Sequence, residues 1–143
     1  MVDRAALRSV FGIGMMEPIT YKYKENKILN LEELNNLYIA KFMFRLFKGE
    51  MKGDFEETWP KIERRVNREN LRNINDFDQP QHIKFEFLKK HPLFSYPETF
   101  NKLPNDFKNV RKVTTFSNSY KKYLLNGGDL REVEEIVNED FLN

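Results

Sequence analysis

Apolar positions along this chain recur mainly at three- and four-residue intervals, the spacing that gathers side chains on one face of a helix. The clearest case runs from about Leu31 to Lys48. There Leu34, Leu37, Tyr38, Ile39, Phe42, Met43, Leu46 and Phe47 cover so much of the circumference that this element is expected at the centre of the core. Asn30 is placed to cap it, Glu33 to complete a capping box, and Gly49 and Gly53 to end it. Lys41, Arg45 and Lys48 line up on its remaining strip.

Shorter elements surround this helix. Residues 4–12 read as a helix with Leu7, Val10 and Phe11 on one side, stopped by Gly12 and Gly14. Tyr21-Lys22-Tyr23-Lys24 alternates at period two. Asp54 or Thr58 caps a second helical piece, in which Lys61, Arg64, Arg65, Arg68 and Arg72 repeat at helical spacing. Asn67 to Gln81 is turn-rich and reads as a contact region. Ile83 to Phe87 alternates as a strand does, and His91-Pro92 and Tyr96-Pro97 punctuate short extended pieces, which predicts a small β-hairpin near 82–96. Pro104 is expected to open another helix at its first position, and Thr114 or Thr115 to cap one containing Phe116, Tyr120, Tyr123 and Leu124. After Asn126-Gly127-Gly128, Asp129 and Glu132 form a further capping box, and Leu130, Val133, Val137 and Phe141 trace one stripe of a final amphipathic helix. The fold class expected is mainly α: a compact helical domain over 1–126 around the 31–48 helix, followed by an acidic helix over 127–143.

Composition sharpens this picture. Thirteen Phe and six Tyr among 143 residues predict a core packed by aromatic rather than aliphatic side chains. The absence of cysteine excludes disulfides, thiolate metal sites and cysteine nucleophiles, and is compatible with a reducing intracellular home, nuclear or cytoplasmic. No apolar run approaches the ~20 residues that span a bilayer. The net charge of +2 hides a split: residues 1–128 carry 23 Lys/Arg against 16 Asp/Glu, and residues 129–143 one Arg against six acids. A basic body calls for an anionic partner, and the acidic tail is suited to cover that surface or to stay solvated.

Candidate chemistry is sparse. His82 and His91 have no carboxylate at ligand-like spacing and read as surface or turn residues. Gly12-Ile13-Gly14 lacks the third glycine of a dinucleotide fingerprint, and no phosphate-binding Gly-Lys-Ser/Thr occurs. The acid pairs Glu32-Glu33, Glu56-Glu57 and Glu134-Glu135 are explained by helix starts and exposed faces. Nothing here calls for a cofactor, a metal, a small-molecule substrate or an enzymatic role. The dense cations at 61–72, opposed by Glu63 and Glu69, can neutralise several phosphates, and a solvated face is the alternative. Trp59, Tyr21, Tyr23 and Tyr96 offer rings for base stacking, with burial in the core as the alternative.

Six phrases occur in a fixed order: Leu7 to Gly12, Ile28-Leu29 with Leu34 to Phe44, Asn70-Leu71-Arg72-Asn73, Pro92 to Ser95, Phe100 to Pro104, and Phe116 to Leu125. Together they resemble the region that follows the polymerase domain in jockey-like non-LTR retrotransposon reverse transcriptases, over about residues 4–126. Phe100 stands where that pattern usually has Trp, Ser117 where it has Lys, and residues 127–143 fall outside it. The Tyr-x-Asp-Asp metal site of the polymerase is absent, so the resemblance implies no catalysis by these residues and either contact with RNA or DNA or a retained remnant put to another use. The expected phosphate contacts are Lys61, Arg64, Arg65, Arg68 and Arg72, with Lys41, Arg45, Lys121 and Lys122 secondary. The alternative is a protein-interaction module that docks a partner through the C-terminal helix or an exposed aromatic patch.

Overall fold

The computed structural model of the chain describes residues 4–51, 53–59, 76–78 and 86–129. They are mainly helical: α1 (Arg4–Phe11), α2 (Thr20–Glu25), α3 (Leu31–Phe47), α4 (Phe55–Thr58), a 3-10 helix (Glu86–Lys90), α5 (Pro92–Asn101), α6 (Asn105–Asn109) and α7 (Val113–Leu125). No helix among the described residues is long and apolar enough to cross a membrane.

The first turn of α3 is closed reciprocally, as its sequence predicts. Asn30 Oδ1 accepts from the Glu33 N–H at 2.9 Å, and Glu33 Oε2 accepts from the Asn30 N–H at 3.0 Å. At the other end Gly49 turns left-handed (φ 74°), which lets its N–H reach Leu46 C=O and the Glu50 N–H reach Arg45 C=O. Between these ends Ala40, Met43 and Phe44 are fully buried. Two helices flank α3. Phe44 stacks on Phe116 of α7 with ring centroids 4.3 Å apart, and Phe47 meets Phe100 of α5 at 5.5 Å. Phe107 of α6 sits edge-on to Phe116 and Tyr120, so the core is aromatic as composition predicts.

Four local expectations are corrected. The β-hairpin expected near 82–96 is not formed over 86–96: Glu86–Lys90 is a 3-10 helix and Pro92–Asn101 is α5, while 82–85 lie outside the described residues. Pro92 occupies the first position of α5, where its missing N–H is not needed, and His91 Nδ1 accepts from the Leu93 N–H as its cap. Pro97 stays inside the helix because burial beside Phe100 against α3 outweighs the lost backbone bond. The period-two stretch Tyr21–Lys24 is helical, in α2, because a single turn shows too few residues for alternation to discriminate. Pro104 caps α6 rather than entering it, and α7 starts at Val113, ahead of either threonine. The helix expected over Lys61 to Arg72 and the amphipathic helix after Asp129 lie outside the described residues.

The turn that ends α2 repeats the geometry at Gly49 without a glycine. Lys27 has φ 53°, with its N–H on Lys24 C=O and the Ile28 N–H on Tyr23 C=O. Lys27→Gly is expected to raise stability by about 0.5–1 kcal/mol, the left-handed penalty less the added chain entropy of glycine. Chemical denaturation checks this, with Lys27→Ala giving no gain. In α7, burial pushes the Tyr120 hydroxyl up to about 12, with Tyr123 adding to the shift. The folded state therefore holds this proton more tightly than the unfolded chain, whose tyrosines titrate near ~10. Stability from Tyr120 should be full below about pH 10 and be lost as pH rises toward 12; in denaturation series across this range, Tyr120→Phe should flatten the decline.

Candidate nucleic-acid interface

Among the α3 positions that face solvent or a partly open flank are Leu31, Tyr38, Lys41, Phe42 and Arg45. At 100° per residue, Tyr38, Phe42 and Arg45 fall within an arc of about 60°. Tyr38 is 63% exposed. Phe42 is half-buried because α4 and α5 bring rings to it: Phe55 at 5.8 Å, Trp59 at 5.6 Å and Tyr96 at 6.1 Å, each approached edge-on. Phe55, Trp59 and Tyr96 lie nearly parallel to one another, at 14° and 13°, with centroids 6.5 and 5.8 Å apart. They form a row across the side of α3, and Phe55, 38% exposed, is its open end. The Trp59 Nε1 is buried without a hydrogen-bond partner among the described residues, so ring packing is what holds the row.

Cations border this surface. Lys41 is half-buried and forms no ion pair among the described residues. Arg45 Nε stands 3.6 Å from Glu50 Oε2, and both side chains are about half exposed, so the pair is worth less than ~1 kcal/mol and can be exchanged for a phosphate. Asp54 and Glu57 are exposed at α4, which makes the α3 side the favourable path for a polyanion. Lys121 and Lys122 are exposed on α7, which meets α3 through Phe44. Phe42 and Phe44 point about 200° apart around the helix, so these two lysines do not share the Phe42 face. Lys61, Arg64, Arg65, Arg68 and Arg72 lie outside the described residues.

Where the chain enters and leaves that basic stretch is described, and both ends rest on α5. On one side Trp59 stacks on Tyr96. On the other, Asn101 holds Phe77 by its backbone: Oδ1 accepts from the Phe77 N–H and Nδ2 donates to the Phe77 C=O, both at 2.9 Å. Phe77 is buried between Phe47 and Phe100. Lys108 is 2% exposed, and its Nζ donates to Asp76 Oδ1 at 2.5 Å and to Asn101 C=O at 3.0 Å, 5.6 Å over the Phe100 ring. Tyr96 and Asn101 are five positions apart, roughly 7.5 Å along one helix. The described residues on either side of 60–75 thus both contact α5, at positions about 140° apart around its axis.

Two other features carry less. A cleft of about 1050 Å³ between α1, α2 and the start of α3 is lined by Arg4, Arg8, Tyr23, Asn30 and Glu32 among others, but it mixes both charge signs and Arg8 donates to Gly14 C=O. No group of three His, Cys, Asp or Glu suited to a metal occurs among the described residues. His91 is spent on capping α5.

No family model, curated protein or solved structure matches this chain. Of the phrases behind the retrotransposon resemblance, some carry buried residues that pack the core, among them Phe100 and Leu103 at the end of α5 and Phe116 and Tyr120 on α7, whereas Leu7 to Phe11 has none and Asn70 to Asn73 lie outside the described residues. Phe55 and Tyr38, the most open rings of the aromatic face, escape a reading by pattern alone. Tyr38 fits the apolar stripe of α3, and the one signal for Phe55 is its i,i+4 spacing to Trp59.

Removing one partner of the buried pair tests the anchor. Asp76→Ala leaves the Lys108 ammonium buried without its carboxylate and is expected to cost about 3–5 kcal/mol in denaturation. Adding Lys108→Met should recover much of that loss.

Proposed function

We propose that this chain is a non-catalytic nucleic-acid-binding domain, derived from a retroelement and acting inside the cell. The observation that carries the reading is that the described residues on either side of 60–75, Trp59 and Phe77, both rest on α5, and that Trp59 packs against Phe42 on the α3 face that bears Tyr38, Lys41 and Arg45. Lys61, Arg64, Arg65, Arg68 and Arg72 are the proposed phosphate contacts, Lys41 and Arg45 extend them, and Lys121 and Lys122 make a separate, secondary contact. Cations of this kind act by releasing condensed counterions, so affinity follows salt in a predictable way.

Binding to short RNA and DNA, titrated by fluorescence anisotropy between low and physiological salt, should fall linearly on logarithmic axes. The expected slope for five engaged cations is about −3.5 on single strands and about −4.5 on duplex DNA. Reversing Arg64, Arg65 and Arg68 to Glu should flatten it. A wild-type affinity indifferent to salt overturns the reading.

A second reading, a protein-interaction module, draws on a different surface. Val10, Met15 and Met16 are 75%, 90% and 98% exposed, and α1 has no buried residue. Two variants separate the readings: deleting residues 129–143 removes the acidic tail and tightens nucleic-acid binding under the first, and replacing Val10, Met15 and Met16 by Ser abolishes capture of a protein partner under the second while leaving nucleic-acid binding unchanged.

A further inference from the structure

We propose that the Tyr38–Phe55 face stacks unpaired bases, so that the polymer this domain selects is single-stranded; the inference rests on the nucleic-acid reading above and specifies its ligand. Phe55 closes a row of near-parallel rings and is braced at 88° by Phe42, so its outer face is held in orientation before any ligand arrives. Tyr38 stands one helical turn from Phe42 and is the most exposed ring on α3. Two open rings about the same supporting residue, with Lys41 and Arg45 alongside, combine the elements by which single strands are held: faces for bases and charges for the backbone. Along the interior of a duplex the bases are already stacked on one another and present only edges and phosphates, so this surface finds no base face there. Cations alone would serve duplex and single strand alike; the aromatic faces are what discriminate. Within the row the rings are in contact, so no base inserts between Phe55, Trp59 and Tyr96, and stacking is confined to the open Phe55 face and to Tyr38.

Trp59 is the chain's single tryptophan and lies directly behind Phe55, which makes its emission a local reporter. The full chain is titrated with a 12-nucleotide oligo-uridine, a 12-nucleotide oligo-thymidine and a blunt 12-base-pair DNA duplex, following Trp59 emission and anisotropy of the labelled strand. Either single strand should bind tighter than the duplex and change Trp59 emission, and the ratio of the two single strands assigns the sugar preference. Phe55→Leu, and separately Tyr38→Ala at a site exposed enough to spare folding, should each weaken single-strand binding roughly 5- to 100-fold and leave duplex binding unchanged. Phe55→Tyr should restore it. Salt-dependent binding of equal strength to all three probes, or equal losses on duplex and single strand in both variants, overturns the single-strand inference and leaves the nucleic-acid reading standing. If none of the three probes binds at low salt, both fall.

Discussion

A buried ammonium sets the course of the middle of this chain. Lys108 is sequestered from water and contacts Asp76, the Asn101 carbonyl and the face of Phe100. Removing such a charge from water costs several kcal/mol, so the arrangement adds little net stability and acts mainly as a constraint. The carboxylate has to come to α6, and it brings the adjoining Phe77 with it. Asn101 completes the tie by offering Phe77 the donor and acceptor that a neighbouring strand would otherwise supply. With Trp59 laid on Tyr96 of the same helix, α5 supports the described residues on both sides of 60–75.

The support itself is aromatic. α3 lies between α5 and α7, its Phe44 and Phe47 point to different neighbours, and its remaining side is left to Tyr38, Phe42 and the cations. Rings meeting edge-on or stacked each contribute about 0.5–1.5 kcal/mol beyond the area they bury, and they fix orientation as aliphatic contacts do not. A surface ring such as Phe55 is therefore held by the same interactions that build the interior. Core and candidate interface share Phe42, which is why the face is ordered without being fully covered.

Much of the helical frame was legible in the sequence, and for identifiable reasons. Asn30 and Glu33 announce the start of α3, Gly12, Gly49 and Gly127 stand where three helices end, and Phe116 and Tyr120 mark the buried side of α7. Local chemistry decides these features, so a local pattern reveals them. The hairpin over 86–96 misled because prolines that usually interrupt helices here begin one, in the case of Pro92, and lie buried within it, in the case of Pro97. That outcome is settled by α5 packing on α3, which no short window contains. The site was less legible than the frame. Arg45 and Lys41 were singled out by spacing, but the Lys108 to Asp76 pair joins residues 32 positions apart, and nothing in the sequence distinguishes Lys108 from the chain's other lysines. The open rings were hidden by composition: in a chain with so many aromatics, Tyr38 and Phe55 look like more core.

The anchorage on α5 is read most directly from hydrogen exchange at the Phe77 amide, whose bond to the Asn101 side chain is the tie in question. If the tie holds, that amide exchanges only when the molecule opens broadly, as slowly as the amide of fully buried Phe44 in α3. Exchange of Phe77 at the rate of an unprotected peptide, while Phe44 stays protected, would contradict it.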